Sequence, residues 1–364
     1  MRPQAPPDLP DRAHVLFLQP AFLGDVILTT ALIESWHRTF PEHRISIVVR
    51  AEAAALFAGH PFLHEVHTWN RTGILKYPRL IRIARSLHRE GVDLVVNLHR
   101  FRSMAWLAKW TGAPWIQGFE AGVGRPGAGV GSIPHRFGDG RHETERNHEL
   151  VQPWMGPWQQ DKDLPMLHPT EAHRTRAEHW PDDALVLAPA SVWATKRWPA
   201  EKWAQLADAW SAEHPDRPVI LLGGPNDGAI LSEVSRACRS VEPRVCAGEL
   251  DLLGAAALMG RSAAVVSNDS APLHMAGAMG VPVVGVFCST TPRFGFGALP
   301  AMVQSGMACH VEIDEQALEC KPCGRHGFTS CPAGHFKCGR ELDVSLVFEA
   351  VRRVSSLPSG SRTP

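Results

Sequence analysis

The sequence has no excess of either charge and no hydrophobic run long enough to cross a membrane. Lys plus Arg and Asp plus Glu both number 37, so the formal net charge is zero. A neutral chain lacks the overall positive field of many nucleic-acid-binding proteins, so we expect no nucleic-acid partner, and any anion site must be local. The most apolar early stretch, residues 15–33, is interrupted by Gln19, Pro20, Gly24 and Asp25. A spanning helix needs about 18 apolar residues, so we expect a cytoplasmic protein.

The remaining composition is ordinary for a globular protein of two domains. The chain has 364 residues, of which 44% are hydrophobic and 20% are charged. Short β-rich runs alternate with helical segments in two successive series, which predicts parallel sheets covered by helices. We predict a flexible tail at 1–12, a first α/β domain at 13–165 and a second at 166–364.

Residues 120–140 differ in composition from the segments around them. Gly and Pro dominate this stretch, which predicts a mobile loop or active-site flap rather than a core element. Arg125 and Arg136 would contact a substrate if this flap closed over it. We predict a helix near residues 148–154 and an interdomain linker in the Pro-rich stretch that follows.

The first segment that carries chemistry ends in Gly24 and Asp25. The predicted strand HVLFLQ comes before them, Gly24 permits a tight turn, and Asp25 stands at the first turn of the next predicted helix. Two interpretations fit: the Asp25 carboxylate caps the helix, or it accepts a proton from an attacking hydroxyl. In a group transfer that starts from this attack, one carboxylate is enough, as the base for the hydroxyl. A diphosphate leaving group needs no second, acidic residue, because it departs without a proton.

A second segment, LAPASVWATKRWPAEKW, places Ser191, Thr195 and Lys196 in a predicted strand-to-helix loop. Hydroxyls, backbone N–H groups and one ammonium there could surround a diphosphate. Lys196 would then stabilise the charge on the leaving group. The alternatives are that Lys196 is a solvated surface charge and that Trp193 and Trp198 serve packing.

A third segment, VVSNDSAPLHMAGAMGVPVVGVF, predicts a buried strand followed by a helix that starts near Ser270. Asp269, Ser270 and Ala271 at that start offer a cap and unpaired helix N–H groups, which suit phosphate oxygens. His274 lies on the first turns of the helix. It is either a donor contact or a structural hydrogen-bonding residue.

A fourth segment, LLGGPNDG, places Asp227 after a predicted strand. An acidic residue beyond a nucleotide-site strand often binds the ribose hydroxyls. The alternative is that Asp227 caps the next helix.

Together these segments resemble glycosyltransferase family 9, the lipopolysaccharide heptosyltransferases that use an ADP-heptose donor. The similarity covers nearly the whole chain, in order and spacing. It includes LFLQPAFLGDVILTTALIESW, DLVVNLHRFRSMAWLAKWTGAPWIQGF, APASVWATKRWPAEKW, LLGGPNDG and VVSNDSAPLHMAGAMGVPVVGVF. No single motif is decisive, but five in register make a chance match improbable.

The resemblance implies an α/β fold of GT-B architecture, with two Rossmann-like domains facing a central cleft. By position, Asp25 matches the family's base, and Lys196 matches the lysine near the diphosphate. The segment 269–271 matches the nucleotide-phosphate loop, and Asp227 matches the acidic residue near the ribose. The family is inverting and needs neither metal nor cofactor. Two departures stand out: Ala271 replaces a usual glycine, and Gln19 replaces a common arginine that would contact the acceptor.

On the acceptor side, His99, Arg100 and Arg102 follow a predicted strand of the first domain. Together with Gly24 they are the predicted acceptor-binding residues. The two arginines could bind an anionic core sugar through charge-assisted hydrogen bonds. A solvated helix start is the alternative.

A Cys-rich segment, residues 309–338, comes near the C-terminus. Its Cys320, Cys323, Cys331 and Cys338 could bind a structural zinc, since the first pair has CxxC spacing. They could also form two disulfides or remain free thiols, and a cytosolic setting disfavours disulfides. We expect a structural role rather than a catalytic one.

The resulting expectation is a transferase that moves heptose from ADP-heptose to a lipid-linked core oligosaccharide. Its partners would be that donor, that acceptor and, through peripheral contact, the inner membrane. Two other functions stay open at this point. One is a different GT-B nucleotide-sugar enzyme, such as a hexosaminyltransferase or an epimerase. The other is a catalytically silent nucleotide-binding module.

Overall fold

The computed structural model describes residues 5–70, 76–100, 102–124 and 127–356. The chain divides into two compact units, Met1–Phe137 with Glu143–His168, and Gly138–His142 with Pro169–Pro364. Arg125 and the first four residues of the predicted tail lie outside the described residues. In the rest of that tail, the Pro7 carbonyl accepts a hydrogen bond from the Trp154 indole N–H at 3.0 Å.

The first unit contains one parallel sheet. Its strands within the described residues are β1 (His14–Leu18), β2 (Arg44–Val49), β3 (Leu63–Thr68), β4 (Leu94–Asn97), β5 (Trp115–Phe119) and β6 (Val130–Ile133). They lie in the order β3-β2-β1-β4-β5-β6. Every residue of β1 and β4 is buried, as expected for parallel strands that are covered on both faces.

Helices cover both faces of this sheet. They are α1 (Leu23–Thr39), α2 (Lys76–Glu90), α3 (Arg102–Trp110), α4 (Glu120–Val123), α5 (Glu143–Glu149) and α6 (Gln152–Met155). Leu80 and Leu87 of α2 and Met104 of α3 join one core cluster with Leu16 and Val95 of the sheet. Helices α2 and α3 therefore pack on the same sheet face.

The second unit repeats this arrangement. Its strands are β7 (Leu185–Ala188), β8 (Val219–Gly223), β9 (Arg244–Ala247), β10 (Ala264–Asn268), β11 (Val283–Phe287) and β12 (Ala308–Glu312). Its helices are α7 (Glu171–Ala177), α8 (Ala200–Glu213), α9 (Gly228–Ala237), α10 (Leu252–Met259), α11 (Ala271–Ala278), α12 (Pro300–Gln304), α13 (Lys337–Arg340) and α14 (Val344–Ser355). The strand order, β9-β8-β7-β10-β11-β12, is that of the first unit. In the helices of the described ranges we find none that combines the length and hydropathy required to span a bilayer.

The prediction of a mobile loop or active-site flap, rather than a core element, at 120–140 is wrong in part, because this stretch contains α4 and β6. Strand β6 pairs in parallel with β5 at the edge of the sheet. The glycines permit this close approach: Gly129 has a φ of +68°, and a Cβ there would lie 2.8 Å from the Pro114 carbonyl oxygen. Gly131 likewise packs against the Gln117 side chain. Sheet pairing thus overrides the low strand preference of glycine.

The predicted helix near 148–154 is replaced by two shorter helices. Helix α5 ends at Glu149, and α6 begins at Gln152 with Pro153 in its first turn. Proline lacks the N–H that a continuing helix would need, but it fits the first turn of a new one.

Each sheet has a topological switch point, where the chain crosses from one side of its first strand to the other. This point lies between β1 and β4 in the first unit and between β7 and β10 in the second. Open α/β sheets bind ligands outside the carboxyl ends of the strands at such points. The segments that follow these four strands are therefore the expected ligand-binding segments.

Candidate active site

Asp25 follows β1 and is the third residue of α1. The N-cap residue of α1 is Phe22, whose side chain makes no capping bond, so Asp25 is not the N-cap residue and lies in the first turn of the helix. Its carbonyl accepts a hydrogen bond from the Thr29 hydroxyl at 2.9 Å. Gln19, which stands where the resembled family has an arginine, is buried and donates to the same hydroxyl at 3.3 Å. Gln19 therefore supports α1, while the partly exposed Asp25 stays the predicted base.

The predicted acceptor residues follow β4, the strand next to β1. In this pairing Leu18 lies opposite Asn97, so the two strands end side by side. His99 is buried, and its backbone N–H donates to the Asn97 side chain at 3.1 Å. Arg100 and Arg102 are exposed. The arginines therefore offer charge at the switch point, and the buried His99 shapes the loop that carries them.

In the second unit, the segments after β7 and β10 meet at an ion pair. The Lys196 ammonium lies 2.6 Å from Oδ2 of Asp269, and the two side chains are 13% and 9% exposed. The Thr290 hydroxyl donates to the same oxygen at 2.6 Å. Asp269 thus holds the ammonium in place, and we interpret it as a positioning residue for Lys196. The sequence did not single out Thr290, although it follows β11, the strand beside β10.

Asn268 joins the two segments behind this pair. Its side-chain amide donates to the Pro189 carbonyl at 2.7 Å and accepts the Trp198 N–H at 3.0 Å. Ser270 is the N-cap residue of α11, and Ala271 is the first residue of that helix. The start of α11 is therefore fixed beside the Lys196 loop, which suits an anion at the helix N-terminus.

Thr195 and Ser191 differ in what they can offer a donor. Thr195 is buried, and its hydroxyl accepts hydrogen bonds from the Ser289 hydroxyl at 2.9 Å and the Phe328 N–H at 2.8 Å. Ser191 is partly exposed, and its carbonyl accepts from Arg197 Nε at 2.7 Å. The Thr195 hydroxyl thus anchors the loop, and its predicted donor contact would have to compete with these bonds.

Asp227 and His274 occupy two further positions predicted to contact the donor. Asp227 is the N-cap residue of α9, and its Oδ2 accepts the Gly224 N–H at 2.8 Å. The carboxylate thus closes the turn after β8. His274 is buried in α11, and burial lowers its pKa to about 3. Its imidazole is therefore neutral at physiological pH, so it adds no positive charge for a phosphate.

The Cys-rich segment packs against the Lys196 loop. Besides the bond from Phe328 to Thr195, the Cys323 N–H donates to the Ser289 carbonyl at 3.0 Å.

Lys321 is a buried residue that the sequence did not single out, and its ammonium donates to Glu312 at 2.7 Å. All eight cysteines are free thiols, and burial raises the pKa of Cys338 to about 11. Zinc binding by the four late cysteines stays one of the alternatives for this segment.

Two groups of side chains in the described residues have ligand atoms close enough to hold a metal ion. They are Glu34, His60 and His168, and Glu65, His67 and Glu90. Neither contains a predicted site residue. In the first group, Nδ1 of His60 accepts the Phe62 N–H at 3.3 Å, which keeps the proton of a neutral ring on Nε2, facing Glu34. A protonated Nε2 has no lone pair to offer a cation, so this arrangement of His60 disfavours a bound metal ion.

His310 is expected to make the fold acid-sensitive. Burial lowers its pKa from 6.5 to about 4, so the folded chain keeps it neutral while the unfolded chain protonates it below about pH 6.5. Because the unfolded state then binds more protons, the free energy of unfolding falls by up to about 3 kcal/mol between pH 6.5 and 4. Protonation would also break the bond that Nε2 accepts from the Ala298 N–H at 2.7 Å.

Urea denaturation at neutral pH and near pH 4.5 measures this effect. His310→Gln keeps an acceptor for the Ala298 N–H but cannot titrate, so it should lose less stability on acidification than the wild type. The exposed His179 supplies the control, and His179→Gln should keep the wild-type loss. An unchanged loss in His310→Gln would contradict the assignment.

Comparisons with known proteins show the family to which the chain belongs. A model of glycosyltransferase family 9 (heptosyltransferase) matches residues 80–322. The chain is 23% identical over 282 residues to lipopolysaccharide heptosyltransferase 3 of Escherichia coli strain K12, covering 74% of this chain and 81% of that protein. It is 24% identical over 305 residues to lipopolysaccharide heptosyltransferase 1 of Pseudomonas aeruginosa, covering 77% and 80%.

Solved structures share the fold. The family 9 glycosyl transferase from Veillonella parvula DSM 2008 has a TM-score of 0.79 at 23% identity and covers 94% of this chain and 97% of its own. The Escherichia coli ADP-heptose lps heptosyltransferase II has a TM-score of 0.73 at 19% identity and covers 94% and 98%. The predicted GT-B class with two Rossmann-like domains is thereby confirmed. Because the family model matches well over half of the chain, the protein belongs to glycosyltransferase family 9 (heptosyltransferase) and is a glycosyltransferase.

Proposed function

We propose that this enzyme is an inverting, metal-independent transferase that moves heptose from ADP-heptose to a lipopolysaccharide core acceptor. The relatives named above are lipopolysaccharide heptosyltransferases, which supports the sugar and the acceptor class. The acceptor would bind to the domain at 13–165 and the donor to the domain at 166–364. We propose that the reaction takes place in the cytoplasm, beside the inner membrane that carries the acceptor.

In the proposed mechanism, the Asp25 carboxylate takes the proton of an acceptor hydroxyl. The resulting oxygen attacks the anomeric carbon of the heptose, and the bond from that carbon to the diphosphate oxygen breaks. ADP leaves with the electron pair, and its new charge is stabilised by Lys196 and by the N–H groups at the start of α11. A single displacement of this kind inverts the anomeric configuration.

The observation that carries this proposal is the ion pair of Lys196 and Asp269 beside the start of α11. It lies after β7 and β10, at the switch point of the second sheet. An ammonium and helix N–H groups can take the charge of a diphosphate, which is the task that a metal ion performs in metal-dependent transferases. The donor therefore needs no metal bridge in this proposal.

Thermal denaturation with different nucleotides tests the donor. ADP at about 100 times its Kd should stabilise the protein by about 2.7 kcal/mol, because only the folded state binds it. UDP, GDP and CMP at the same concentration should give a smaller shift. A larger shift with UDP than with ADP would contradict the ADP-heptose donor and favour a hexosaminyltransferase or an epimerase.

A transfer assay separates the enzyme from a silent nucleotide-binding module. Incubation with ADP-heptose and a heptose-deficient core glycolipid should release ADP and extend the glycolipid. ADP binding without either product, across several core acceptors, would favour the silent module.

A further inference from the structure

Positive charge is concentrated in one stretch of a chain whose formal net charge is zero overall. Residues 76–110 contain eight Lys or Arg but only two Asp or Glu, whereas the whole chain has 37 of each class. Six of these basic residues are exposed on α2 and α3: Arg79, Arg82, Arg85, Arg89, Arg102 and Lys109. None of the ion pairs among the described residues involves them. These six side chains are therefore open to solvent and form no ion pair within the described part of the chain.

Large aromatic side chains are exposed on the same two helices. Trp106 and Trp110 of α3 are 50% and 47% exposed, and Tyr77 of α2 is 52% exposed. The two indole rings stack on each other with centroids 6.3 Å apart. Tryptophan and tyrosine are the residues that concentrate at membrane–water interfaces, where an apolar ring with a polar edge is favoured.

These basic and aromatic side chains belong to one outer surface, which we call the basic–aromatic face. Helices α2 and α3 contact each other and pack on the same side of the first sheet, so their exposed sides point away from that sheet together. A cavity of about 530 Å³ lies beside α2, and its lining includes Arg79, Arg82, Thr68 and Asn70. Those polar groups could receive a phosphate of a lipid headgroup.

We propose that the basic–aromatic face binds the anionic surface of a phospholipid bilayer. The guanidinium groups would meet lipid phosphates, and the two tryptophans would enter the headgroup layer. Helix α3 begins at Arg102, a predicted acceptor residue, so the face adjoins the region proposed for the lipid-linked acceptor. The inference rests on the proposed function, which places the enzyme beside the inner membrane, and deepens it by naming the surface that makes the contact; binding to a bilayer requires no sugar transfer, so the two can be tested separately.

Co-sedimentation with vesicles, without any nucleotide sugar, tests the proposal. The wild type should bind vesicles of phosphatidylglycerol and phosphatidylcholine and bind vesicles of phosphatidylcholine alone far more weakly. Each basic side chain near an anionic surface contributes roughly a factor of five in affinity. Arg82→Glu with Arg85→Glu should therefore lower binding at least about tenfold, and added salt should weaken wild-type binding.

A matched pair of variants tests whether vesicle binding depends on the basic–aromatic face or only on the net charge of the protein. Arg236 and Arg239 are exposed in the second unit, and Arg236→Glu with Arg239→Glu makes the same change in net charge. This control should bind vesicles as the wild type does. Trp106→Ala with Trp110→Ala should remove the binding that remains at high salt, since that part depends on apolar contact.

Three results would overturn the proposal: equal loss of binding in the two arginine variants, wild-type binding that ignores lipid charge, or displacement of vesicles by equimolar single-stranded RNA. Heptosyl transfer to a delipidated, soluble acceptor should be unchanged in the Arg82→Glu, Arg85→Glu variant. If vesicle binding held while transfer failed in the wild type, the proposed function would fall and the membrane face would stand.

Discussion

Asp25→Asn is expected to lower kcat by about 10²- to 10⁴-fold, the usual contribution of a positioned general base. The amide keeps the size of the carboxylate but cannot take the acceptor proton. ADP affinity should remain at the wild-type level, because the proposed donor contacts lie in the second domain. Initial rates of transfer and calorimetric titration with ADP measure the two quantities.

The control for this variant is another acidic residue in the first turn of a helix. Glu201 is exposed and lies in the first turn of α8, and the partly exposed Asp25 lies at the same place in α1. Each loses about 0.3 to 1 kcal/mol of helix-dipole interaction when its charge is removed, so Glu201→Gln matches the effect on stability. It should retain wild-type turnover. If Asp25→Asn kept more than about a tenth of wild-type kcat, the base would lie elsewhere.

Much of the second unit follows from local chemistry that is readable in the sequence. The run before Asp269 is apolar and β-branched, and it forms the fully buried strand β10. Asp251 caps α10 by accepting the Gly254 N–H at 2.8 Å. Because Asp is a preferred N-cap residue, the start of this helix could be predicted from the sequence. Strand β6 could not be predicted in this way. Its glycine-rich sequence has a low preference for strands, and it becomes a strand only because it pairs with β5.

The candidate site likewise has features that can be predicted from the sequence and features that cannot. The sequence predicts that Lys196 and Asp269 follow strands, because each comes after an apolar run. It does not predict their 2.6 Å contact, which depends on strands β7 and β10, far apart in the chain, lying side by side. The Thr195 hydroxyl is a similar case, since its partners Ser289 and Phe328 come from segments that share no pattern with the loop.

Lys196→Met is expected to lower both transfer and stability. Loss of one group that stabilises the departing charge should lower kcat/KM by about 10²- to 10³-fold. The free energy of unfolding should fall by about 3 kcal/mol, because Asp269 would keep a nearly enclosed charge with its ammonium partner gone. Lys337 is exposed on α13, and Lys337→Met should change neither quantity. Transfer rates and urea denaturation measure the two effects.

Combining Lys196→Met with Asp269→Asn separates the catalytic role from the structural one. The double variant leaves no unpaired charge, and the introduced amide oxygen can still accept the hydrogen bond that Thr290 donates to Oδ2 of Asp269 at 2.6 Å. It should therefore regain most of the stability that Lys196→Met loses, while transfer stays as low as in the single variant. If transfer returned together with stability, Lys196 would serve the fold alone, and the start of α11 would have to stabilise the diphosphate without it.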